Sequence, residues 1–246
     1  MAKKTTRARA TPPPLPLALT YLDESRDFAT GFLFILPLLV GYEIGLALLR
    51  SDVINWAHGI TRMVFRTFGP AEPLLFAGVV ATLMVLALLR ADRLRVDAEL
   101  YGLMLAESVV YACGIGLACS FAARRMLASR APAVERTVAS DVVLSVGAGV
   151  YEEVLFRVVL LGALYYALKR WAKVRPGLAA FLAIFASSVI FAACHHIGPY
   201  GEPLAAAPLF YRFGLGVLFA AIYIYRGLGI VVYTHALYDV LVSLGR

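Results

Sequence analysis

Three short polar groups interrupt the apolar second half of the chain: Glu152-Glu153-x3-Arg157, Phe191-x3-His195 and His235-x3-Asp239. Carboxylates, imidazoles and guanidinium groups are expensive at membrane depth, where they pair with one another and mark functional sites. Glutamate and histidine together can take a proton from water and hand it on, so the chemistry these residue types suit is hydrolysis.

On a helix Glu153 and Arg157 are four apart and share a face, so the guanidinium can pair the carboxylate and brace the helix. Glu152 is rotated by about 100° from Glu153 and has no local cation, which leaves it as the carboxylate available for catalysis. His195 ends an apolar run, with the ring of Phe191 one turn below it, placed to exclude water. His235 and Asp239 again share a face. Asp239 can fix the tautomer of His235 or stabilise its protonated form, and the imidazole could then serve an oxyanion with the aspartate behind it. A purely structural hydrogen-bonded pair is the competing account of those two residues.

These groups need a scaffold that holds them in lipid. Of the 246 residues 61% are hydrophobic and only 16% charged, and the mean hydropathy is +0.78. That composition lies outside the range of soluble domains. Seven apolar runs approach the ~20 residues that cross a ~30 Å hydrocarbon core. They are 28–49, 73–89, 98–122, 141–168, 178–196, 208–225 and 228–244. Nothing alternates like a barrel strand, so the expected fold is all-α: a polytopic membrane protein of about seven transmembrane helices. Residues 51–72 instead place apolar side chains at helical spacing with Arg62 and Arg66 among them, the pattern of a short interfacial helix. Plain structure at the interface is its expected role. Gly147 and Gly149 allow close helix approach beside Glu152. Glu43 and Glu107, also among apolar neighbours, are expected to make structural pairs.

Residues 1–25 read as a disordered, basic, proline-rich cytoplasmic tail, 26–139 as the N-terminal transmembrane helices, and 140–246 as the catalytic transmembrane domain. The net charge of +7 resides in short connectors between apolar runs. Positive-inside bias explains that placement, favours a cytoplasmic N-terminus by a small margin, and leaves no reason to invoke nucleic acid. Three cysteines in apolar segments form no disulfide framework. Cys194 adjoins His195, but neighbours on a helix face different directions, which disfavours a thiol mechanism.

The order Glu-Glu-x3-Arg, Phe-x3-His, His-x3-polar over residues 140–244 resembles the CPBP family, the type II CAAX prenyl endopeptidases and bacteriocin-processing enzymes also called the Abi family. The resemblance implies an intramembrane endopeptidase of the glutamate type. Glu152 and His195 would activate water, His235 and Asp239 would line the oxyanion site, and Glu153 and Arg157 would support Glu152. Many members carry asparagine where this chain has Asp239. An ionised aspartate repels an oxyanion, so Asp239 is either protonated or acts through His235. The likeness implies no cofactor. Zinc is the minority alternative, since the ligand types suffice but the compact His-Glu-x2-His arrangement is missing. The implied substrate is a membrane-anchored or apolar-tailed protein or peptide, cleaved in the bilayer of a bacterial inner membrane. The rival readings are a transporter or channel using the same polar groups, and a non-catalytic immunity or scaffold protein of the same family.

Overall fold

In a computed structural model the described residues are 17–49, 55–71, 78–82, 85, 89, 97–128, 137–197 and 204–245. Helices dominate, with no strand among the described residues. The helices are α1 (Leu17–Arg26), α2 (Phe28–Leu49), α3 (Trp56–Arg66), α4 (Ala98–Ala128), α5 (Val138–Gly147), α6 (Gly162–Arg170), α7 (Pro176–Cys194) and α8 (Ala206–Leu244). Between α5 and α6 the chain winds on through two π-helical stretches, Ala148–Glu152 and Val154–Leu161. Local chemistry starts two of these helices. Thr137 caps α5 by accepting the Ser140 N–H at 3.2 Å, and α7 opens on Pro176, whose missing N–H has no partner to lose there.

Among the described residues, four helices are long and apolar enough to cross a membrane: Phe28–Leu49, Ala98–Cys119, Pro176–Cys194 and Ala206–Leu244. The last is a hairpin rather than a rod. Gly227 breaks it with φ 82°, the hydroxyls of Tyr211 and Tyr238 bond across it, and Phe219 stacks on His235 at 4.3 Å. The two apolar runs expected at 208–225 and 228–244 are thus its antiparallel halves. Only glycine fits the turn, because a Cβ at Gly227 would meet the Arg26 backbone at 3.0 Å and positive φ strains any other residue. The run expected at 73–89 lies mostly outside the described residues.

Two further expectations change. Residues 17–25, assigned to the tail, belong to α1, where Tyr21 and Ser25 have partners in the bundle. Arg226, counted among connector cations, is buried and grips Glu107 with Nε at 2.5 Å and Nη2 at 2.8 Å. Tyr21 donates to the same carboxylate at 2.5 Å, and Ser25 Oγ lies 3.0 Å from Arg226 Nη2. This bidentate knot ties α1 and α4 to the hairpin turn, the structural pairing expected of Glu107.

The hairpin α8 is the centre of the bundle and touches α1, α2, α4, α5 and α7. Its fit against the π-helical stretch depends on Gly149, where a Cβ would come within 2.7 Å of Val232 O and 2.8 Å of Ala236 N. The neighbouring Gly147 is covered by the Tyr42 ring. Backbone atoms cannot swing aside as side chains do. Gly149→Ala is therefore expected to destabilise the protein by about 1–3 kcal/mol, the range for overpacking a filled core. A lowered Tm in detergent is the readout, and unchanged Tm would show that the helices separate freely.

Candidate active site

Glu152 and Glu153 lie at the junction of the two π-helical stretches. In a π turn the backbone bonds from i to i+5, and such turns gather at functional sites. The expectation from α-helical geometry was that the two carboxylates diverge to separate tasks. Instead both address one imidazole. Glu153 Oε1 is 2.7 Å from Nδ1 of His235, while Glu152 Oε2 is 4.0 Å from its Nε2. Glu152, Glu153 and His235 are all buried.

His195 arrives from a second direction, as the C-cap of α7. Its Nδ1 lies 2.8 Å from the carbonyl of Phe191. A carbonyl only accepts, so Nδ1 carries a proton, and the other nitrogen, Nε2, faces Glu152 Oε2 at 3.8 Å. The Phe191 ring packs edge-on under this imidazole with centroids 4.7 Å apart, where the spacing placed it. Glu152 Oε2 has no hydrogen-bond partner among the described residues. It stands 3.8 and 4.0 Å from two imidazole nitrogens, separations too long for direct bonds and short enough for one water molecule to bridge.

Glu153 and Arg157 form the expected ion pair, Oε2 to Nε at 3.0 Å, with side chains 0% and 2% exposed. Arg157 also lies over the Phe191 ring at 4.6 Å and donates to Gly216 O at 3.4 Å. The place behind His235, expected of Asp239, is held by Glu153. Asp239 Oδ2 sits 3.5 Å from Nε2, on the side facing Glu152. One helical turn along α8 brings Asp239 alongside the outward edge of the ring, while Nδ1 turns inward toward the π-helical stretch. Glu153 therefore serves His235 directly, beyond the support of Glu152 expected of it.

Two contributions from the first third of the chain have no counterpart in the three motifs. Asn55 Nδ2 donates to Glu152 Oε1 at 2.9 Å. Behind it, Tyr42 OH is 2.8 Å from His58 Nδ1, His58 stacks on Tyr151 at 4.4 Å, and Tyr151 donates to Glu43 at 2.5 Å. Glu43 thus makes a structural pair as expected. The segment carrying α3, expected to be plain structure at the interface, instead packs with His58 behind Glu152. The only sequence signal for Asn55 is a helix-capping residue type just before α3; nothing links it to a residue 97 positions on.

Among the described residues no group of three His, Cys, Asp or Glu side chains is arranged to hold a metal ion. Cys113, Cys119 and Cys194 are free thiols.

Residues 135–241 match the family model of the Rce1-like proteins, described as type II CAAX prenyl endopeptidase Rce1-like. No curated protein and no solved structure matches the chain. The matched segment holds Glu152, Glu153, Arg157, His195, His235 and Asp239, and α1 to α4 lie before it. Residues 135–241 thus form an Rce1-like domain, and that match supports membership of the CPBP family.

Proposed function

We propose that this protein is an intramembrane endopeptidase that hydrolyses a peptide bond with a water activated by Glu152 and His195. The observation that carries the reading is the meeting of one unpaired carboxylate oxygen with two imidazole nitrogens from two other helices, at 3.8 and 4.0 Å. A water between them loses a proton to Glu152, and its oxygen bonds to the scissile carbonyl carbon. The oxyanion so formed accepts a hydrogen bond from Nε2–H of His235. Collapse of the intermediate breaks the C–N bond, and the proton taken from water passes to the leaving amine. Donation from Nε2 requires His235 to carry both protons, one held by Glu153 and the other turned to the site. Asp239, an acceptor when ionised, acts through His235 rather than on the oxyanion.

The substrate is a membrane-associated polypeptide with a lipid anchor or apolar tail, prenylated where the host prenylates proteins. The setting is the inner membrane of a bacterium, with the N-terminus cytoplasmic and seven crossings. These comprise the helix 138–170, the two halves of α8, and the apolar run 73–89 besides α2, α4 and α7. The mechanism uses no metal, and stoichiometric zinc whose removal reversibly abolishes activity would overturn that part.

The test is comparative proteomics of membrane polypeptides in wild-type cells and in deletion cells complemented with wild-type or Glu152→Gln protein. An uncleaved precursor is expected in the deletion and with Glu152→Gln, and not with the wild-type gene. A change in ion flux with no precursor would sink the hydrolase reading in favour of transport.

A further inference from the structure

We propose that Asn55 is a positioning residue of the active site, supplied by the interfacial segment rather than by the family-matched domain; this rests on the hydrolase reading of Glu152. The amide is fixed at both ends. Its Oδ1 accepts the Ala57 N–H at 2.9 Å, capping α3, and its Nδ2 donates to Glu152 Oε1 at 2.9 Å. A flipped amide would set NH2 against an N–H, so the two contacts determine its orientation. Its own backbone N–H reaches Tyr42 OH at 3.4 Å.

The consequence falls on Glu152. With Oε1 held by Asn55, rotation of the carboxylate is stopped and Oε2 is the oxygen left facing His195 and His235. Asn55 touches neither imidazole and reaches no reacting atom, so it acts through Glu152. The segment that carries it is anchored independently. Trp56 stacks nearly parallel on Phe156 at 6.3 Å and 10°, and His58 is fixed by Tyr42 and Tyr151. The site is therefore incomplete within residues 135–241.

Capping and positioning can be separated because they use opposite ends of one amide. Asn55→Asp and Asn55→Ser both keep an oxygen that caps α3, while neither can repeat the donation to Glu152: aspartate has no donor and repels the carboxylate, and serine is too short. Asn55→Ala loses both functions. Initial rates would be measured on the purified full chain in detergent, with an internally quenched prenylated CAAX peptide as probe. All three variants are expected to lose kcat by about 10- to 100-fold, the loss for a hydrogen bond to a charged acceptor, with KM within about twofold. In a Glu152→Gln background Asn55→Ala is expected to add little further loss, as coupled residues do. Recovery of wild-type kcat by Asp or Ser would overturn the proposal and leave Asn55 as a cap. Wild-type rates from Glu152→Gln would overturn the catalytic reading of Glu152 and this role together, whereas an inactive Glu152→Gln beside fully active Asn55 variants would overturn this role alone.

Discussion

Glu152→Gln is expected to lower kcat by about three orders of magnitude, within the 10²–10⁴-fold that general base catalysis contributes. The change keeps the size of the side chain and the acceptor that Asn55 bonds at 2.9 Å. What it removes is basicity at the atom 3.8 and 4.0 Å from the two imidazoles. A loss confined to kcat, with KM and the detergent Tm near wild-type values, marks a group that works only on the way to the transition state. His195→Ala should cost less, about 10²-fold, because the carboxylate that receives the proton remains. Glu153→Gln gives the informative contrast. It leaves Glu152 in place but no longer holds His235 through a charged acceptor at 2.7 Å, so its effect passes through oxyanion donation. If Glu152→Gln turns over as fast as wild type while Glu153→Gln is dead, the roles of the two adjacent carboxylates are reversed.

How far these residues were legible in the sequence follows from how local each signal is. The spacing Glu153-x3-Arg157 encodes its own contact, since four residues make one helical turn, and the pair forms at 3.0 Å. Phe191 under His195 is legible for the same reason. Gly149 beside a polar island foretells close approach, and the chain uses it against Val232 and Ala236. The π-helical winding was not legible, because an i+5 ladder leaves no side-chain period distinct from that of an α-helix over so few residues. The divergence expected of Glu152 and Glu153 gives way to a shared imidazole, with Glu153 rather than Asp239 at Nδ1. Asn55, Glu43 and His58 reach the site across the fold, and no pattern along the chain carries such contacts. In the same way, the basic character of Arg226 suggested a connector until Glu107, 119 residues away, accounted for its charge.

Arg157→Leu is expected to destabilise the protein by about 3–5 kcal/mol, the cost of removing one partner of a buried ion pair. Glu153 is wholly buried and Arg157 nearly so, so water cannot replace the lost partner as it would at a surface. Arg157→Lys should recover only part of the loss. An ammonium restores charge but cannot lie flat over the Phe191 ring at 4.6 Å while also reaching Gly216 O. Apparent Tm in detergent and the folded fraction after gel filtration would measure both variants, and an unchanged Tm for Arg157→Leu would show that Glu153 is not ionised in the folded protein. The double variant Arg157→Leu/Glu153→Leu separates the two tasks of this glutamate. Removing both charges together should return much of the stability, since an apolar pair of similar volume is often neutral or better. It cannot return the acceptor at His235 Nδ1, so a double variant that folds well should still be impaired in turnover. Recovered stability with recovered activity would mean that His235 needs no carboxylate behind it, and that Glu153 serves the fold alone.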